Sequence, residues 1–589
     1  MIDKNGFTEV FIQVQTILGF MTDIPHIIRG SAGSSLVCWL LGISFFDPIE
    51  YGLELARFMN SGRVDMPDID IDVPYNRRDE LYARIANAFP GRVARISNHV
   101  KFQPKSAMRE ALRQVGVKGM IPKHYHLGTI LSKTGVSCDK VRTMAKKMEG
   151  KTRLTSLHCG GIVIFDEAVP SDLILKERIE LESDKNALLC QIKLDKDETE
   201  DAGHIKIDLL SNRGLAQAIS VSDALGLDLW HTIPNEWIRQ IRACFALGET
   251  IGLTFGESRG MRRIFKDMRP QGVNEIALAL ALIRPAAADG GRKKKFLNNY
   301  SKGTLPFNEA DAPIVYDDDA IRRICAVLSC SSASGDKWRK AFSKGNSAKI
   351  SSFEMQLALR GINGVKRNTL LQDLHQLAKY SFCKSHAFSY AFLLWRLAYL
   401  KVRYPHEFWV STLNHCNSDY RAWVHMREAR CSGLLLSRAK PPYKLGVRKG
   451  QAALVPLNGG EQMILGSDDS FVQVQNDMFK LGYWCSEKFF PGCEFKVYKE
   501  EGNNHLTASF CGIVATGRMA NGLTMLCIGV DNGRYIDLIV DNCDPSLLGG
   551  AVEGSGLYKN DNCETVTVDD IRSISYSAML TKVRVFVKK

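Results

Sequence analysis

Three aspartates alternate in Met66-Pro67-Asp68-Ile69-Asp70-Ile71-Asp72-Val73, a spacing that suits metal chemistry. On an extended strand successive side chains point to opposite faces, so Asp68, Asp70 and Asp72 share one face, and Ile69, Ile71 and Val73 the other. Carboxylates repeated about every 7 Å along a strand repel one another unless cations neutralise them. Mg2+ suits such a face, because it takes one or two carboxylates and completes its shell with water and substrate phosphates. A second run, His204-Ile205-Lys206-Ile207-Asp208-Leu209-Leu210, puts Lys206 and Asp208 on one face of another strand. A third carboxylate there, on a strand beside the first, would complete a two-cation site. The competing reading is an edge strand kept charged to prevent aggregation.

A Gly/Ser loop precedes the acidic strand: Ile28-Arg29-Gly30-Ser31-Ala32-Gly33-Ser34-Ser35-Leu36, leading into an apolar stretch read as a helix. Glycines let backbone N–H groups approach phosphate oxygens, and a following helix adds partial positive charge. Ser31, Ser34 or Ser35 could donate to a phosphate, and Arg29 could pair with a triphosphate. Alone, such a turn is equally a plain helix cap. Loop, helix and acidic strand in that order give the layout of a nucleotidyltransferase palm.

The surrounding elements must position these groups. Phe11, Val14, Ile17 and Leu18 form a helical stripe, and strand-like runs recur at Gly161–Phe165 and at 204–210. Residues 98–157 read as helical and basic, with Lys101, Lys105, Arg109, Arg113, Lys118 and Lys123. Helical periodicity dominates 215–430, where the run Arg292-Lys293-Lys294-Lys295 reads as an exposed loop. Residues 431–500 give weak signals. Beyond them, Thr507–Ala515, Leu523–Val530, Tyr535–Val540 and Val583–Val587 alternate as strands of a small, OB-like barrel.

The whole chain has 589 residues, with 77 Lys and Arg against 64 Asp and Glu, a formal net charge of +13. Such a balance favours a polyanionic partner, although many globular proteins are mildly basic without one. The 16 cysteines include no CxxC pair, which argues against a zinc ribbon and fits reduced thiols in a cytoplasmic core. No signal peptide is evident, and the longest apolar stretch, Leu36 to Phe46, is too short to span a bilayer.

Arg29-Gly30-Ser31, Arg57-Phe58-Met59-Asn60 with Arg63-Val64, the aspartate strand, His158-Cys159-Gly160-Gly161 and Lys206-Ile207-Asp208 occur in that order. They are followed by Glu257-Ser258-Arg259-Gly260-Met261, Arg284-Pro285, Lys384-Ser385-His386 and Tyr404-Pro405-His406-Glu407-Phe408. In these stretches the sequence resembles the C-family bacterial DNA polymerases, the alpha subunit of DNA polymerase III. The resemblance implies an α+β multidomain chain with a polymerase-β-like palm, helical thumb and fingers, and a C-terminal OB-like barrel. The implied boundaries are palm 1–97 and 158–213, thumb 98–157, fingers 214–430, connector 431–499 and OB-like domain 500–589. It also implies DNA-templated synthesis from dNTPs on a primer–template, with Asp68, Asp70 and Asp208 holding two Mg2+ ions and Asp72 outside the triad. Arg29, Gly30, Ser31, Arg57, Lys206, Arg259, Arg284, Lys384 and His386 are the expected nucleotide-binding set. Lys101, Lys105, Arg109, Lys293, Lys294, Arg518 and Arg534 are the expected DNA contacts. Gln475, Met478 and Phe479 lie in a stretch resembling a sliding-clamp-binding peptide.

The sequence departs from the family where Ala32, Ser34 and Ser35 replace favoured residues, where Ala286-Ala287-Ala288 follow Arg284-Pro285, and where Tyr316-Asp317-Asp318-Asp319 stand. The family's leading PHP domain is not recognisable. The expectation is therefore a reduced, bacteriophage-encoded polymerase in the host cytoplasm without intrinsic proofreading, which a separate exonuclease could supply. A catalytically silent DNA-coating relative and a template-independent nucleotidyltransferase are the alternative readings.

Overall fold

The computed structural model describes residues 1–62, 66–121, 125–132, 134–284, 292–304, 313–375, 382–415, 418, 420–437, 439, 441–448, 450–457, 494–499, 506–520, 523–530, 535–541, 544–548, 551–560 and 564–574. The N-terminal part carries strands β1 (Ile27–Arg29), β2 (Asp70–Pro74), β3 (Val93–Lys101), β4 (Thr152–Ile164), β5 (Ile174–Lys176), β6 (Cys190–Ile192) and β7 (Lys206–Asn212). The chain divides into two compact units, one of Met1–Ile24 with Val64–Ser211, the other of Pro25–Arg63 with Asn212–Lys589.

In the first unit the sheet order runs β2-β7-β4-β3-β6-β5. β4 lies antiparallel to both β3 and β7, and β3 is parallel to β6. Ala94, Ile96, Val163, Phe165, Cys190 and Ile192 form a buried core on this sheet. The helix Arg78–Ala88 buries Leu81, Tyr82, Ala83, Ile85 and Ala86, a stripe at helical spacing. β3 and β4 are the longest strands of this sheet, and their pairing continues to Lys101 opposite Thr152. The helices Pro104–Gln114, Leu127–Leu131 and Cys138–Met148 are inserted between them around a core of their own, including Ala107, Leu112, Leu131 and Val141. Pro104 starts the first of these where its missing N–H is harmless, and the Ser137 hydroxyl caps the last by accepting the Lys140 N–H.

The second unit is helical around Lys384–Arg403, which buries fourteen of its 20 residues, as a helix enclosed by others must. It packs against Val273–Leu282, Ile238–Ala246 and Arg213–Leu225. Four helices, Asp317–Leu328, Ser332–Ser343, Ser347–Leu359 and Gly364–His375, share a separate core of Ile324, Phe342, Phe353, Leu357 and Leu374. The basic run Arg292–Lys295, expected as a loop, is instead the first turn of the helix Arg292–Ser301. A lysine run can be helical because long unbranched side chains lose little rotamer freedom there.

Toward the C-terminus a hairpin of β8 (Tyr443–Arg448) and β9 (Gln451–Pro456) precedes β10 (Glu494–Lys499), β11 (Leu506–Ala520), β12 (Leu523–Gly529), β13 (Tyr535–Val540), β14 (Ala551–Asn560) and β15 (Glu564–Ile574). The order β11-β12-β13-β15-β14, with β14 pairing back onto β11, closes a five-strand barrel, and β10 adds to it along β11. All barrel neighbours are antiparallel except β13 and β15. β14 and β15 were not expected, and the strand expected at 583–587 lies outside the described residues. Among the described residues, no helix is long and apolar enough to cross a membrane.

Candidate active site

The aspartate strand and the Lys206–Asp208 strand are neighbours. β2 lies beside β7, and one carboxylate oxygen each of Asp68, Asp70 and Asp208 falls within 4.8 Å of the others. The strand proper begins at Asp70, so Asp68 reaches the group from the extended segment before it. Asp72 is fully buried and outside the triad.

Lys206 is embedded between the acids. Its Nζ lies 2.7 Å from Asp208 Oδ2 and 3.1 Å from Asp68 Oδ1, and Lys196 Nζ lies 3.3 Å from Asp68 Oδ2. Burial pushes the Asp70 carboxyl up to about 8, aided by the charges of Asp68 and Asp208. Burial also opposes ionisation of Asp68, yet Lys206 and Lys196 outweigh it and hold that carboxyl below its usual value. Burial disfavours the Lys206 ammonium as well, but Asp208 and Asp68 overcome this and raise its pKa. Asp70 Oδ1 and Asp208 Oδ1 are buried with no hydrogen-bond donor. Acceptors left without donors beside like charges are what a divalent cation satisfies, so the residues fit one.

A clamp on β4 sets the position of β7. Gly161 pairs with Asp208 across the two strands. A Cβ at Gly161 would come within 2.6 Å of Ile96 and 2.9 Å of His158 Nδ1, and one at Gly160 within 2.9 Å of the Leu209 carbonyl. Only glycine lets β4 pass this close. The Tyr82 hydroxyl lies 3.2 Å from the carbonyls of both Gly160 and Leu209, bridging the two strands. Arg95 donates to the carbonyls of Gly161 and His158, and its guanidinium stacks 4.4 Å over the Tyr82 ring. His158 Nδ1 lies 3.4 Å from Asp208 Oδ1, but it accepts the Gly161 N–H at 2.9 Å and so holds no proton toward the acid. Burial lowers its pKa further, and the contact is no ion pair. Sequence reasoning did not assign Tyr82 and Arg95 to the site; the glycine pair opposite Asp208 was the available signal.

In the second unit a cavity of about 290 Å³ is lined by Arg29, Arg284, His386 and Tyr390, with Phe255, Phe382 and Ser258 among its other walls. His386 and Tyr390 are one turn apart on the buried helix and so share a face. Gly30, at φ 73, turns its N–H to His386 Nδ1 at 3.3 Å and its carbonyl to the Ser385 hydroxyl at 2.6 Å. The loop is thereby hooked to the first turn of that helix. Because Nδ1 accepts, the proton of the neutral ring sits on Nε2. Burial, then the charges of Arg29 and Arg284, lower the His386 pKa to about 3. Arg29 donates to the Tyr390 hydroxyl at 3.3 Å, and the Arg284 guanidinium lies 4.4 Å over Phe382. Two guanidiniums on one aromatic-walled cavity suit an anion such as a phosphate chain. The helix after the loop is split into a turn at Ala32–Ser34 and the short helix Leu36–Leu40. Ser34 and Ser35 are buried, and Ser35 caps the short helix, which leaves Ser31 as the partly exposed hydroxyl.

The other expected nucleotide-binding residues make structural contacts within their unit. Arg57 Nε lies 3.1 Å from Asp317 Oδ2, beside the buried Arg339–Asp336 pair. Lys384 Nζ donates to the carbonyls of Tyr51 and Gly52, while its N–H donates to Asp318. Arg259 ties its helix to the barrel, with Nε 2.7 Å from Asp537 and Nη1 2.9 Å from the Leu526 carbonyl. Lys101, Lys105, Lys294 and Arg518 are exposed, and Arg109 and Lys293 half-buried. Arg534, Gln475, Met478 and Phe479 lie outside the described residues.

Residues 1–211 match the model of the bacterial DNA polymerase III alpha NTPase domain, and residues 230–362 that of the bacterial DNA polymerase III alpha subunit finger domain. The DNA polymerase III subunit alpha of Streptococcus pyogenes serotype M1 is 29% identical over 464 residues, 71% of this chain and 43% of that protein. The subunit of the same name from Aquifex aeolicus is 28% identical over 499 residues, 74% of this chain and 42% of that protein. That from Halalkalibacterium halodurans is 26% identical over 457 residues, 70% and 40%. The aligned region thus spans less than half the length of each of these relatives.

Proposed function

Since the chain belongs to the bacterial DNA polymerase III alpha family, we propose that it is a DNA-templated DNA polymerase adding dNTP units to a primer 3′-hydroxyl. The carboxylate group of Asp68, Asp70 and Asp208, assembled from two distant segments and holding two donorless buried oxygens, carries this reading. These residues would hold two Mg2+ ions. Such ions would supply Lewis-acid activation of the 3′-hydroxyl and charge neutralisation at the pyrophosphate leaving group. The chain's own residues do the rest: Lys206 keeps the acids together against their repulsion, and the β4 glycines and Tyr82 fix Asp208 in register.

Arg29 and Arg284 bind the triphosphate in the second unit's cavity, and the His386 Nε2–H donates to it. Gly30 and Ser31 complete that loop, and Arg57, Arg259 and Lys384 hold its surroundings in place. The sheet of the first unit serves as a polymerase-β-like palm. The segment expected at 98–157, whose ends lie in β3 and β4 and whose helical part carries exposed Lys105 and half-buried Arg109, serves as a thumb gripping duplex phosphates. Barrel connectivity supports an OB-like domain for single-stranded template, with Arg518 on its surface. Residues 475–479 are proposed as a sliding-clamp contact.

Primer extension by the purified chain tests the reading. Asp208→Asn or Asp68→Asn, or chelation of divalent ions, should reduce extension by at least about a thousandfold while DNA affinity changes little. Extension of unpaired primers as fast as templated ones, or DNA binding with no incorporation, would replace it.

A further inference from the structure

A second group of ligating side chains lies elsewhere in the first unit. His99 sits near the end of β3, where the chain enters the helical insert, and Asp195 and Glu198 lie at the start of the helix Lys196–Asp201. One atom from each of the three falls within 4.8 Å of the others. His99 Nδ1 is 3.4 Å from Asp195 Oδ2 and 3.7 Å from Glu198 Oε2.

The orientation of each group is set from behind. His99 Nε2 lies 2.9 Å from the Lys193 carbonyl, which only accepts, so Nε2 carries a proton. In the neutral ring Nδ1 therefore presents a lone pair to two carboxylate oxygens, a repulsive arrangement unless a positive charge stands among them. Asp195 Oδ1 accepts the Glu198 N–H at 3.1 Å, leaving Oδ2 for His99, and Glu198 Oε2 accepts the Asp195 N–H at 3.0 Å. A histidine oriented through its far nitrogen by a backbone carbonyl, facing hydrogen-bonded carboxylates, is how proteins preset metal ligands.

Spacing and donor type indicate which ion. Tetrahedral Zn2+ with bonds of about 2.0–2.1 Å separates its ligand atoms by roughly 3.4 Å, close to both separations found here. One imidazole and two carboxylates suit Zn2+ or a similar borderline ion better than Mg2+, which prefers oxygen alone. We propose that His99, Asp195 and Glu198 form a Zn2+-class site separate from the Asp68–Asp70–Asp208 group, with one position open to solvent. The site ties the root of the helical insert to the turn carrying Lys196, whose Nζ reaches Asp68 at 3.3 Å. An ion there fixes the segment that presents this lysine.

Co2+ titration of the metal-stripped full chain, followed by visible absorption, tests this. A tetrahedral Co2+ band should appear at one equivalent, persist in Asp208→Asn, vanish in His99→Gln and in Glu198→Gln, and be displaced by Zn2+. Glu198 is largely exposed and its glutamine keeps an acceptor for the Asp195 N–H, so that variant folds even if His99→Gln does not. In 15N spectra of the histidines, Zn2+ should shift the Nδ1 resonance of His99. A Co2+ spectrum unchanged by both substitutions overturns the proposal. So does an imidazole protonated on both nitrogens and indifferent to Zn2+, the signature of a plain ion pair.

Discussion

Lys206 occupies the middle of three carboxylates, with its side chain 2% exposed. Removing it leaves Asp68 with Lys196 alone and takes from Asp208 its ammonium partner. Lys206→Met should therefore destabilise the metal-free chain. The loss should fall toward the low end of the roughly 3–5 kcal/mol typical of a broken buried pair. Asp68 is 41% exposed and can recover hydration, and Asp70 at about 8 is already protonated at neutral pH. Mg2+ should restore more stability to the variant than to the parent; equal Mg2+ effects on the two melting curves would mean that Lys206 does not balance the cation's ligands. His386 yields a pH prediction of definite sign. Its folded pKa is about 3 against 6.5 for the free side chain, so between these values the unfolded chain binds more protons. Stability should fall as pH drops from 6.5 toward 3, and His386→Gln should remove that component. Asp318, raised to about 6 chiefly by burial, acts oppositely between 3.8 and 6, so the difference between parent and variant in urea unfolding at each pH is the informative quantity.

At the scale of strands and helices, the glycines of β4 set where Asp208 sits relative to Asp68 and Asp70. Gly161→Ala would drive a methyl to 2.6 Å from Ile96, and relief requires the Ile96 and His158 side chains to shift or β4 to move from β3 or β7. The expected result is about 1–3 kcal/mol of overpacking and a fall in primer extension larger than the stability loss explains, read from urea unfolding and kcat on the same samples. A fully active Gly161→Ala chain would show that this register is not critical. The same scale separates what the sequence made legible from what it hid. The alternating aspartates and the Lys206–Asp208 run each mark a strand face, and a face of like charges needs a counter-charge, so spacing singled out these acids, while the choice of Asp208 rather than Asp72 beside Asp68 and Asp70 came from the family resemblance. Tyr82 and Arg95 could not, because they act through backbone carbonyls of β4 and carry no pattern of their own. Tyr390 follows His386 by one helical turn, and helical spacing from the Lys384-Ser385-His386 stretch points to it. β14 escaped notice because Gly554 and Gly556 interrupt its apolar pattern. Those glycines face the β15 backbone, where an added Cβ would meet carbonyl oxygens at 2.0 and 2.2 Å, so the residues that blurred the strand in sequence are those that let it pair. Lys384 and Arg259 read as ligand contacts in sequence, and the contacts they make within the fold, to carbonyls and to a barrel aspartate, are tertiary and carry no local pattern.

For the molecule as a whole, the formal net charge of +13 bears on the proposed binding of DNA. A basic surface binds duplex by releasing condensed counterions, so log K falls linearly with log salt at a slope near −0.9 for each phosphate neutralised. Net charge does not reveal which cations do this, because buried ones such as Lys206 and Arg339 are already paired. Exposure narrows the choice: Lys101 at the root of the insert and Lys105 on its first helix are exposed, as is Arg518 on the barrel. Each of Lys101→Gln and Lys105→Gln should make the duplex salt slope shallower by about 1 and weaken all sequences alike. Arg518→Gln should leave the duplex slope unchanged and act on single-stranded template, where the slope per phosphate is about −0.7. Fluorescence anisotropy over a salt series, with duplex and single-stranded probes, measures both slopes. If the lysine variants alter single-strand rather than duplex binding, the insert is not the part of the chain that grips the primer–template, and its basic face serves the unpaired strand.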